Sequence, residues 1–185
     1  MTLRTFAAVA LCLAVLVASA SAATVFQTTL TGAGENPPNG SPGTGTAVVT
    51  LNTAETMLEV NLTFSGITAP ASAAHIHCCA GPGVNAAVVL NFVGNGFPVG
   101  ATSGTFDHTF TLATDLAGIS VPDFLTGLFA GTAYANIHDA NFPVGEIRGQ
   151  LAATTPEPGT WALMGLSVAT LAAIRRTRRP RELKQ

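Results

Sequence analysis

Four residues carry side chains that together suit a metal ion: His75, His77, His138 and Glu146. His75 and His77 stand two apart in Ala73–Cys78, a run that reads as a strand, so both imidazoles project from one face while Ile76 turns to the other. A His-x-His pair on a strand can chelate one ion. His138 ends a second run, Thr132–His138, where it shares a face with Asn136 and Tyr134. If Asp139–Gly145 is the loop and the chain returns through Gly145–Leu151, His138 sits opposite Glu146 and Asn136 opposite Arg148. Three imidazoles and a carboxylate would then converge, a donor set that fits copper or zinc. The plainer reading is a polar network closing one end of the fold, with Glu146 and Arg148 as an ion pair.

Cys78 and Cys79 follow His77 directly. Neighbouring Cα atoms lie about 3.8 Å apart, tighter than usual for a disulfide, so a vicinal bridge would be strained. A bridge, a soft ligand pair beside His77 and two free thiols are the readings that compete. No Gly-x-Ser-x-Gly elbow, phosphate-cradling loop or paired carboxylates occur in the chain, so hydrolytic catalysis has no visible machinery and a non-enzyme is expected.

The elements that must position these residues are strands. Short runs of period-two alternation, separated by Gly, Pro and Asn clusters, give eight: 25–30, 45–51, 57–64, 73–78, 86–92, 104–112, 132–138 and 145–151. In Met57–Phe64 the residues Leu58, Val60, Leu62 and Phe64 alternate strictly with Met57, Glu59, Asn61 and Thr63, so the first set faces the core. Only Thr114–Phe129 breaks the rhythm, and there a short helix, with Asp115 available near its start as a cap, or an ordered crossover is expected. The pattern predicts an all-β fold, an antiparallel β-sandwich of seven or eight strands with Greek-key connections, immunoglobulin-like or similar to Cu/Zn superoxide dismutase.

Both ends read as targeting segments. Residues 1–22 form a signal peptide: Arg4, an apolar run from Phe6 to Val17, then small residues up to Ala22 that suit cleavage. Residues 23–153 are the domain, and 154–159 a stiff proline-rich linker containing Pro156, Glu157 and Pro158. Residues 160–174 are apolar, a short transmembrane helix, and 175–185 are a basic tail held on the cytoplasmic side by its arginines. Between Ala23 and Thr154 eight acids face the single base Arg148, a net of −7, which makes nucleic acid a poor partner and a cation or a neutral ligand a better one.

Two family resemblances follow from longer stretches. Pro156-Glu157-Pro158-Gly159, the apolar span and the arginine cluster resemble a PEP-CTERM sorting signal. That implies recognition by an exosortase-type enzyme, an inner-membrane stage before processing, and an association with exopolysaccharide on the surface or in the matrix of a Gram-negative bacterium. Leu30–Pro38, Ala74–His77, Ala133–His138 and Phe142–Leu151 resemble the CHRD domain, an extracellular module named for chordin, with Cys78-Cys79 standing where a glycine is expected after His77. A surface or matrix module that binds a glycan, a protein or itself is the first functional expectation. A copper- or zinc-binding metalloprotein, redox-active or not, is the alternative.

Overall fold

A computed structural model describes residues 22–154 of the chain. The expected signal peptide before them, and the sorting motif Pro156–Pro158, the expected membrane span 160–174 and the basic tail 175–185 after them, lie outside the described residues. All eight expected strands form: β1 Thr24–Thr31, β2 Thr44–Leu51, β3 Met57–Ser65, β4 Ala71–Cys78, β5 Ala87–Asn91, β6 Gly104–Thr111, β7 Tyr134–Asp139 and β8 Ile147–Gln150. A two-residue β9, Ala152–Ala153, adds to β1.

The strands make one antiparallel sheet in the order β5-β4-β7-β8-β1-β2-β3-β6, which corrects the sandwich expected from alternation. Alternation fixes which side chains point inward; it does not say whether two groups of strands are hydrogen-bonded to one another. Here two four-stranded halves are joined at a seam where Thr31 of β1 pairs with Arg148 of β8. The sheet then curls into a half-barrel. Phe92, just past one edge strand, stacks on Phe106 of the other at 4.7 Å, so the two ends of the sheet meet through side chains.

Inside the curl lies a single apolar core. The alternating set Leu58, Val60, Leu62 and Phe64 is buried as the pattern demands, against Phe26, Val49 and Phe110. The chain between β6 and β7 gives two helices, α1 Leu112–Asp115 and α2 Val121–Phe129. Asp115 is not the cap of the longer one. Ser120 is: its hydroxyl accepts from the Asp123 N–H at 3.2 Å, and Pro122 sits in the first turn, where its missing N–H costs nothing. Asp115 instead accepts from the Thr111 N–H at 2.7 Å and closes the first turn of α1.

Candidate functional site

The outer face of β4, β7 and β8 carries the chemistry. Such a face is normally left to solvent in an antiparallel sheet. Here the segment between β4 and β5 folds back over it and ties itself to polar side chains. The Tyr134 hydroxyl accepts from the Ala86 N–H at 3.1 Å, Arg148 Nη2 donates to Val84 O at 2.9 Å, and Arg148 Nη1 donates to Asn85 Oδ1 at 3.1 Å. Gln150 Nε2 donates to Ala80 O and Gly131 O, both at 2.9 Å. The result is a second, polar layer beneath a lid of backbone, with His77, Asn136 and Arg148 buried in it.

Register brings the histidines together. His75 is level with Asn136 and His77 with Tyr134 across the β4–β7 ladder, while Asn136 is level with Arg148 across β7–β8. One ligand nitrogen from each of His75, His77 and His138 lies within 4.8 Å of the other two. His75 Nδ1 and His138 Nε2 face one another at 3.2 Å. Outer partners orient two of the rings: His138 Nδ1 bonds to Pro143 O at 3.1 Å and His77 Nδ1 to Ala86 O at 2.9 Å, as metal-ligating imidazoles are commonly held. Behind His77 the Tyr134 ring lies parallel at 4.6 Å, and the Arg148 guanidinium covers that ring's other face at 3.3 Å. Burial lowers all three imidazoles. His75 falls to about 4 because its burial is reinforced by His138 and His77. His77 and His138 also fall, burial again being the largest cause. Neutral imidazoles with free lone pairs are what a metal requires.

Glu146 does not join them. The strand that would carry its alternation starts one residue later, at Ile147, and Gly145 before it takes φ +137°, a backbone that only glycine adopts readily and that turns Glu146 away from His138. Its Oε1 accepts from Ser41 Oγ at 2.6 Å and the Thr68 N–H at 2.7 Å, beside Asp139. Burial and the neighbouring Asp139 raise Glu146 above the usual carboxylate range. Burial would raise Asp139 too, but hydrogen bonds from Glu146 and from the N–H groups of Phe142 and Ala69 outweigh it and hold Asp139 low. Nor is Arg148 the ion-pair partner of Glu146: its guanidinium is committed to Val84, Asn85 and Gln150.

Cys78 and Cys79 are joined as a vicinal disulfide. It packs on α2 at Gly127, where an added Cβ would run into both sulfurs. Glu35 was missed as a site residue. It is 4 % exposed, its Oε1 has no hydrogen-bond partner, and burial pushes it up to about 7 against the attraction of Asn36, Arg148 and Asn136. The signal was available: an acid in a Gly- and Pro-rich loop, in a domain with only one base to answer it.

Comparison with known proteins gives two matches. Residues 154–179 match the PEP-CTERM protein-sorting motif, which implies processing by an exosortase, export and sorting to the cell surface. No curated protein and no solved structure matches the chain. Residues 26–151 match the CHRD domain, from within β1 to just past β8 and over more than half of the sequence. The protein belongs to the CHRD domain family.

Proposed function

We propose that this is an exported, non-enzymatic surface module whose domain binds one divalent transition metal, zinc or copper, through His75, His77 and His138. The observation that carries the reading is the convergence of three neutral imidazoles, their ligand nitrogens within 4.8 Å of one another. Two ligands about 2.1 Å from one tetrahedral ion stand about 3.4 Å apart, close to the 3.2 Å between His75 Nδ1 and His138 Nε2. Thermal melting of the full chain with and without Zn(II) or Cu(II) tests it. A metal-dependent rise in Tm that His77→Gln abolishes is expected. No shift in the wild type at micromolar metal refutes the reading. Copper should bind more tightly than zinc, following the general affinity order for divalent ions.

The setting of this activity is the surface or matrix of a Gram-negative bacterium that makes exopolysaccharide. The apolar span 160–174 holds the chain in the inner membrane until an exosortase cuts near Pro156-Glu157-Pro158. Mass spectrometry of native surface material decides that point, because an intact Trp161–Ile174 peptide in mature protein would show the tail to be only an anchor.

A second reading has its own observation. On the outer face of the other half-sheet Thr29, Thr46, Thr63 and Thr105 fall in one row across β1, β2, β3 and β6, lining a shallow groove, with Thr46 and Thr63 hydroxyls 2.8 Å apart. A row of uncharged hydroxyls suits a neutral glycan. Retention of the chain on immobilised exopolysaccharide, lost on replacing Thr46 and Thr63 by Val, would support it.

A further inference from the structure

The three imidazoles leave one position of a four-coordinate ion unassigned, and a fourth donor already stands against one of them. Asn136 lies between His75 of β4 and Arg148 of β8, is 2 % exposed, and sets its Oδ1 3.1 Å from His77 Nε2. That contact is awkward for the protein alone. The other nitrogen of His77 faces Ala86 O at 2.9 Å, so the ring meets an acceptor on each side. A neutral imidazole has one N–H and one lone pair, and whichever nitrogen carries the proton, the other is left lone pair to lone pair with an oxygen. A second proton would answer both acceptors, but it would put a second cation into the polar layer where His77 is buried against Tyr134 and the Arg148 guanidinium.

Reversing the amide turns its oxygen onto Glu35, an arrangement that is satisfied only while that carboxyl keeps a proton. Asn136 also lies beside the buried Glu35 carboxyl, whose Oε1 has no hydrogen-bond partner and can accept from the amide N–H. With Nδ2 turned toward Glu35 the amide has its donor on an acceptor, and Oδ1 is left toward the imidazoles. A cation between Oδ1 and His77 Nε2 turns the repulsion into two bonds. The 3.1 Å separation of the two atoms is close to the roughly 3.4 Å edge of a tetrahedral site and matches the 3.2 Å of the His75–His138 pair.

We infer that Asn136 Oδ1 is the fourth ligand of the metal, which closes the site as three imidazole nitrogens and one amide oxygen. Glu35 acts as the positioning residue that keeps the amide's oxygen turned inward. The inference rests on the three-histidine reading and adds to it that no place is left for water or substrate on the ion. A closed site of this kind stores or is stabilised by its metal; catalytic zinc sites keep one position open.

The full chain loaded with Co(II) in place of zinc gives the test in the wild type. Strong visible bands of a four-coordinate ion, unchanged by millimolar azide, are expected, because azide needs an exchangeable position. Bands that shift with azide overturn the inference. Zinc affinity by chelator competition gives the second arm: Asn136→Ala should weaken binding about ten-fold or more, and Asn136→Asp, which keeps an oxygen in place, should bind at least as tightly as the wild type. An Asn136→Ala protein that binds zinc as the wild type does also overturns it. If that variant does not fold, the azide result on the wild type decides alone. Loss of binding in His77→Gln with unchanged binding in Asn136→Ala removes only the fourth ligand, whereas a wild type that takes up neither cobalt nor zinc removes the three-histidine reading and this inference together.

Discussion

His75 Nδ1 stands 3.2 Å from His138 Nε2, and His138's other nitrogen is already committed to Pro143 O at 3.1 Å. Two ring nitrogens held face to face by strands that pair side by side can share one proton or one ion. Both states need the two rings uncharged, which burial favours.

The pH range of metal binding follows. Because all three imidazoles lie below the ordinary histidine value, His75 at about 4, protons compete with metal less than they would at free histidine. Metal-dependent stabilisation measured at pH 7 should persist at pH 5.5 and fade toward pH 4. Disappearance of the shift already at pH 6.5 would show that the rings titrate as exposed ones.

Without metal, two groups pull stability in opposite directions. The depressed histidines contribute stability that is present above about 6.5 and lost as pH falls toward His75's 4. Glu35 is raised from 4.5 to about 7, so its contribution is present below 4.5 and lost as pH rises through 7. Between 4.5 and 6.5 they partly cancel. Urea midpoints of the chelator-treated chain should therefore climb more steeply with pH in Glu35→Gln than in the wild type, and equal slopes would refute the raised Glu35.

Glu146→Gln should be mild. The Gln carbonyl can accept from Ser41 Oγ and the Thr68 N–H as Glu146 Oε1 does, and its amide N–H can donate to the neighbouring Asp139. Denaturation should show a change within about 1 kcal/mol for Gln and a loss of about 2–4 kcal/mol for Glu146→Ala, which strands buried donors. A large loss for Gln would restore an ion pair with Arg148, the pairing the structure does not make.

Gly127→Ala should destabilise by about 1–3 kcal/mol, since the new methyl meets both sulfurs of the Cys78–Cys79 bridge and α2 must shift. Alanine is otherwise the better helix former, so a stabilised variant would show that α2 does not sit on the disulfide.

Much of this was written in the sequence. Leu58, Val60, Leu62 and Phe64 announced their strand because one face is buried and the other is not, and His-x-His announced a shared face for the same geometric reason. The Asn136–Arg148 register also follows from loop length alone. What alternation could not carry was anything past a strand's last residue. Glu146 stands one position outside β8, and there the φ of Gly145, not the pleat, decides where the carboxylate goes. The single sheet was hidden for a related reason: the seam rests on the pairing of Thr31 with Arg148, a contact between strands more than a hundred residues apart that no local pattern records. Asn136 acts through neighbours brought by the fold, so composition gives it no mark.

The meeting of Phe92 with Phe106 has a meaning beyond packing. A sheet's outermost strands expose unpaired N–H and C=O groups and invite another chain to add to them. By curling until its ends touch, and by keeping β5 to the five residues Ala87–Asn91, this domain shortens and screens the places where strand addition could begin. A protein sorted to the cell surface is thereby steered away from edge-to-edge fibre growth.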